Sequence, residues 1–144
     1  MSTTDNKNII RRFVEEGLNK RNAALIDEVY SADYVGHYPE RPAPRSIEYL
    51  KMGMVGLLGK VFPDAQYSID GLFAEDDMVT WHWTFRATHQ GELMGIPPTG
   101  KTIGFSGINL FRMTDGKVVE DWVYRDTVGM LRQLGAMPAP GQGR

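Results

Sequence analysis

Asp121, Val123 and Arg125, with Val119, stand at alternate positions in the run Val118–Asp126. On a β-strand such residues share one face, and Glu120, Trp122, Tyr124 and Asp126 share the other. A strand that only fills a core seldom carries so many ionisable groups, because an unpaired buried charge is costly. Asp121 is therefore the leading acid/base. Burial in an apolar cavity would raise its pKa toward neutrality, where it could take and return a proton. The alternative is an exposed carboxylate, or one neutralised by Arg125, which otherwise could bind a substrate carboxylate. Asn109 could orient a substrate carbonyl, hold Asp121 across a strand pair, or make only a structural hydrogen bond. His89 could shuttle a proton or stabilise an oxyanion for Asp121, or be a turn histidine bonded to backbone. His37 borders a proline-rich loop, where a pocket role and an exposed loop position are both open. His82 alternates with Trp81 and Trp83 and belongs to the opposite face, as surface or dimer interface. No metal or cofactor is expected. The three histidines lack ligand spacing, and neither a nucleophile elbow nor a phosphate-cradling glycine loop occurs.

The chain has 144 residues, a formal net charge of −2 and no cysteine. That length fits one domain, expected over residues 1–136, with a flexible Pro/Gly-rich tail at 137–144. The charge gives no reason to expect a nucleic acid or an anionic membrane as partner. Missing cysteine excludes disulfides and thiolate chemistry. A polar N-terminus and the lack of a long apolar run point to a cytoplasmic protein with no membrane association.

The elements that must position these residues come in two halves. Thr4 or Asp5 can cap a first helix to about Asn19, with Ile9, Ile10, Phe13, Val14 and Leu18 as its apolar stripe. A short helix follows with Leu25, Ile26 and Val29. An extended segment from Asp33 runs into the prolines at 39, 42 and 44. Ser46 can cap a third helix that Pro63 stops. From there the period falls to two. Ala65–Phe73, Met78–His89, Thr102–Met113 and Val118–Asp126 read as strands, the last two joined by an Asp115-Gly116 hairpin. Thr127 can cap a closing helix that ends at Gly135. This order implies an α+β fold in which N-terminal helices cover one face of a curved antiparallel sheet. Such a sheet closes into a cone that can hold a pocket.

Particular motifs also carry a resemblance. The run Ala87–Lys101, with Gly95-Ile96-Pro97-Pro98-Thr99-Gly100, is similar to the SnoaL-like polyketide cyclase family. So are Phe105-Ser106-Gly107, Phe111-Arg112, Asp115–Glu120 and Leu131–Gly135. The resemblance covers nearly the whole chain. It implies the nuclear transport factor 2-like fold, a cone-shaped α+β barrel that often dimerises through its sheet. It also implies ring closure by an intramolecular aldol condensation without cofactor or metal. The family's acid/base aspartate on the last strand aligns with Val123, and its polar helper with Asn109. Valine cannot move a proton, so either Asp121 has taken over two residues earlier or the chemistry is absent.

The expected function is a cofactor-independent cyclase acting through Asp121, Asn109 and His89 on a small hydrophobic or aromatic polyketide-like substrate. His37, Trp83, Phe85, Phe105, Val123 and Arg125 would line the substrate site. The alternatives are a cofactor-free hydroxylase, an epoxide hydrolase-like enzyme, or a binding protein without turnover. A homodimer or higher homo-oligomer is expected.

Overall fold

The computed structural model describes residues 1–138. Helix α1 (Thr3–Arg12) starts two to three residues earlier than a cap at Thr4 or Asp5 implies. Ser2 is the N-cap: its hydroxyl accepts the Asp5 N–H at 3.0 Å, and the Asp5 carboxylate accepts the Ser2 N–H at 3.2 Å. This reciprocal pair satisfies two otherwise orphaned donors. The helix continues through Phe13–Leu18 with π-helical geometry. Its stripe of Ile10, Phe13 and Val14 is at most 4% exposed. Arg21, in left-handed conformation, brackets the helical half to the sheet. Its guanidinium donates to the carbonyls of Leu18, Leu58 and Ala65 at 2.6, 3.0 and 2.7 Å.

Helix α2 (Ala24–Val29) leads directly into β1 (Tyr30–His37). Helix α3 (Ile47–Val55), extended by a π-helical turn at Leu57–Val61, lies against β1. Ser46 is the N-cap of α3 by position but makes no side-chain capping bond. The sheet follows as β2 (Gln66–Tyr67), β3 (Gly71–Glu75), β4 (Met78–Thr88), β5 (Thr102–Thr114) and β6 (Lys117–Arg125). The strand expected over Ala65–Phe73 is thus two pieces, both antiparallel to β4. Side-chain bonding at the junction explains the break. Ser68 and Thr84 both donate to the Asp70 carboxylate at 2.6 Å, drawing the backbone out of register.

The sheet order is β1-β6-β5-β4-β2, with β3 also on β4. Every pair is antiparallel except β1 with β6, which is parallel. Helix α1 packs across β3 and β4. Helix α4 (Thr127–Gln133) packs on β5 and is capped by Asp126, not Thr127; the Asp126 carboxylate accepts the Gly129 N–H at 2.8 Å. The proposed tail at 137–144 falls mostly outside the described residues. Among the described residues, no helix is long and apolar enough to cross a membrane.

Candidate active site

Strand β6 is delivered by a two-residue turn in which Asp115 (φ 51°) and Gly116 (φ 76°) both take left-handed conformations. Such a turn matches the twist of the flanking strands and fixes their register. Register then slips once: Arg112 pairs with Glu120, but Met113 pairs with Val118. The extra residue, Val119, forms a bulge. A bulge reverses the alternation behind it, so Val118, not Val119, joins Asp121 and Val123 on the buried face.

Asp121 is 1% exposed. The Tyr34 hydroxyl donates to its Oδ1 at 2.5 Å, and Asn109 Nδ2 donates to its Oδ2 at 3.4 Å. The Asn109 amide is oriented in turn by Trp83, whose indole N–H donates to Asn109 Oδ1 at 2.8 Å. Two glycines make these approaches possible. A Cβ at Gly36, which pairs with Asp121 on β1, would overlap the Tyr34 hydroxyl and come within 3.1 Å of Asp121 Oδ1. A Cβ at Gly107 would overlap the Trp83 indole.

Burial pushes Asp121 up to about 7; the bonds from Tyr34 and Asn109 stabilise its carboxylate and partly oppose that rise. Burial, with Asp121 alongside, pushes the Tyr34 phenol far above its ordinary range, so it remains a donor. The result is a desolvated carboxyl that titrates near neutrality beside two fixed donors. This arrangement suits abstraction and return of one proton.

Access to it is graded. On the inner face, Phe105, Gly107, Asn109 and Arg125 are only partly buried, while Phe111, Met113, Val118 and Asp121 are at most 3% exposed. Trp83, Phe85 and Val123 on the same face are at most 5% exposed, so the partial exposure is confined to Phe105, Gly107, Asn109 and Arg125. Two surface cavities lie elsewhere. One of about 320 Å³ is bounded by the loop Pro39–Pro44 and by Trp122 and Tyr124, on the side of β6 opposite Asp121. Another of about 450 Å³ is bounded by Arg86, Thr102, Ser106 and Gln133.

The expected residues divide accordingly. Asn109 meets Asp121, and Trp83, Phe85, Phe105 and Val123 line the same inner face. Val123 is the cross-strand partner of Asn109. Arg125 shares that face but bonds Glu40, not Asp121, through Nε and Nη2 at 2.9 and 2.7 Å, with its guanidinium 5.1 Å from the Tyr38 ring centroid. His37 is not brought to the carboxyl. It lies on the other face of the sheet, stacked on Trp122 and 2.6 Å from Glu120. His89 is not brought there either. Asp121 is level with Phe111 and Val79, and His89 lies ten residues on from Val79, just past the end of β4, roughly 30 Å by strand path. Its Nδ1 instead accepts the Thr99 N–H at 3.2 Å and lies 2.9 Å from the Thr99 hydroxyl, closing the glycine-proline loop. His82 is exposed on the outer face. The residues missed from sequence are Tyr34 and Gly36. Their signal was a glycine two places from a tyrosine in an extended segment, which marks a close approach on one face.

Comparison with known proteins places this geometry. The model of the SnoaL-like polyketide cyclases matches residues 8–134. The aklanonic acid methyl ester cyclase AcmA of Streptomyces galilaeus is 29% identical over 134 residues, covering 88% of each chain. The nogalonic acid methyl ester cyclase of Streptomyces nogalater is 40% identical over 47 residues, 33% of this chain and 35% of its own. Among solved structures, AclR of Streptomyces galilaeus, provisionally named a hydroxylase, is 32% identical with a TM-score of 0.87 over 98% of this chain and 87% of its own. Wild-type IdmH of Streptomyces antibioticus, provisionally named a polyketide cyclase, is 30% identical with a TM-score of 0.79 over 90% and 98%. The fold is the α+β cone expected from the sequence, and the chain belongs to the SnoaL-like polyketide cyclase family.

Proposed function

We propose that the protein is a cofactor-independent cyclase that closes a ring in an aromatic polyketide ester by intramolecular aldol condensation. Asp121 removes the proton alpha to a carbonyl. The enolate carbon attacks a second carbonyl of the same chain, and the proton returns from Asp121 to the new alkoxide. Asn109, already aimed at Asp121 by Trp83, is the donor nearest the enolate oxygen. Tyr34 holds the carboxyl at its base-competent pKa and orientation. The observation that carries this reading is a carboxyl 1% exposed, with its pKa near 7, at the inner end of a partly open apolar face. The relatives named methyl ester cyclases suggest the substrate class. The test is turnover of aklanonic acid methyl ester by the wild type and by Asp121→Asn. Unchanged turnover in the variant would remove Asp121 from the mechanism.

A second reading is a cofactor-free hydroxylase. It is favoured by the likeness to AclR, provisionally named a hydroxylase. Stoichiometric oxygen consumption with the same substrate would select it.

The working unit in this proposal is a homodimer joined through the outer sheet face. There Tyr124 (55% exposed) and Ile108 (42%) lie opposite each other across β5 and β6. Light scattering at micromolar concentration gives the mass directly.

A further inference from the structure

Arg125 and Asp121 share the inner face of β6, four residues apart, which is about 13 Å along the strand. A fused-ring ligand with its reacting end at Asp121 therefore presents its far end to Arg125. That guanidinium is already engaged. Glu40, from the loop between β1 and α3, takes its Nε–H and one Nη2–H. The pair is partly exposed, with Arg125 24% and Glu40 35% accessible. Tyr38 lies beneath the guanidinium at 5.1 Å, so its plane is held in place.

The geometry points to a charge selector: the Glu40–Arg125 pair admits a neutral ester or ketone at the far end of the substrate and rejects the corresponding free carboxylate. This rests on the inner face being the substrate site. A guanidinium has five N–H donors. Two are spent on Glu40 and Tyr49 also bonds the group, which leaves the remaining N–H groups to bond a neutral carbonyl without disturbing the pair. A ligand carboxylate gains little here. It must either expel Glu40, exchanging one carboxylate for another, or sit beside it as a like charge. Glu40 thus occupies the position that a substrate carboxylate would take. The selectivity belongs to a loop residue remote from the reacting carbon and is separable from catalysis.

The experiment is equilibrium binding of anthraquinone-2-carboxylate and of its methyl ester to the full chain, read by quenching of tryptophan fluorescence at neutral pH. Wild type is expected to bind the ester at least tenfold more tightly than the acid. Glu40→Gln frees Arg125 and is expected to tighten acid binding by tenfold or more, with a dependence on salt that the ester lacks. In Glu40→Gln/Arg125→Gln that gain disappears. Equal binding of acid and ester by wild type, or an unchanged ratio in Glu40→Gln, overturns the selector and leaves the role of Asp121 untouched. Binding of neither probe by wild type overturns the inner-face site and the selector together.

Discussion

Replacing Asp121 by asparagine should stabilise the protein at alkaline pH while abolishing its chemistry. The carboxyl titrates at about 7 in the folded chain against an ordinary value of 3.8, chiefly because it is buried. A folded-state pKa above the unfolded one means that the native state holds the proton more tightly. Its contribution is complete below the unfolded value and is lost as pH rises through the folded one. The gap of roughly three pH units, at about 1.4 kcal/mol per unit, makes the buried carboxylate cost about 4 kcal/mol above pH 7 relative to pH 4. Asparagine has nearly the same shape and no charge. Its oxygen can still accept from Tyr34, but its amide would face Asn109 donor to donor, a loss of about 1 kcal/mol. The variant should therefore exceed wild type by about 2–3 kcal/mol at pH 8 and match it or fall slightly below at pH 4. For a chain of this size that is a Tm gain on the order of 5–10 °C at pH 8. Thermal melts of both proteins from pH 4 to 9 make the comparison. Other carboxylates titrate in both and cancel in the difference. A difference constant across that range would show that Asp121 does not hold its proton to neutrality and would remove the physical basis of its proposed role as base.

Tyr34→Phe takes away a donor that stabilises the carboxylate. The ascending limb of the kcat/KM profile should move about one pH unit toward alkaline, with a stability loss of roughly 1–3 kcal/mol in chemical denaturation. Gly36→Ala should cost about 1–3 kcal/mol and most of the activity, because its methyl group competes with the Tyr34 hydroxyl for one position. Retention of wild-type Tm would refute that packing argument. His89→Gln should lower Tm by loosening the loop that Thr99 closes, while turnover stays within about twofold. A large drop in kcat at unchanged Tm would return His89 to the chemistry.

The class of fold and the inward strand face of Asp121 were both written in local pattern. Three-and-four spacing of Ile10, Phe13 and Val14 fixes a helix, and the alternation Trp81, Trp83, Phe85 fixes a strand, because each pattern buries one face only in its own geometry. The Asp-Gly turn set the β5–β6 pairing, and that placed Asp121 near Asn109. What lay beyond the sequence were contacts made across many residues. Tyr34 and Asp121 are 87 residues apart. Their bond depends on β1 running parallel to β6, and no periodicity encodes that pairing. Arg125 looked like a partner for Asp121 on one strand face, yet four residues along a strand span about 13 Å, so Arg125 meets Glu40 from the loop and the carboxyl meets Tyr34 and Asn109. His89 shares the inner face of its strand with Trp83 and Phe85. Face is a local property fixed by alternation, whereas distance along a long curved strand is settled only when its neighbours are in register.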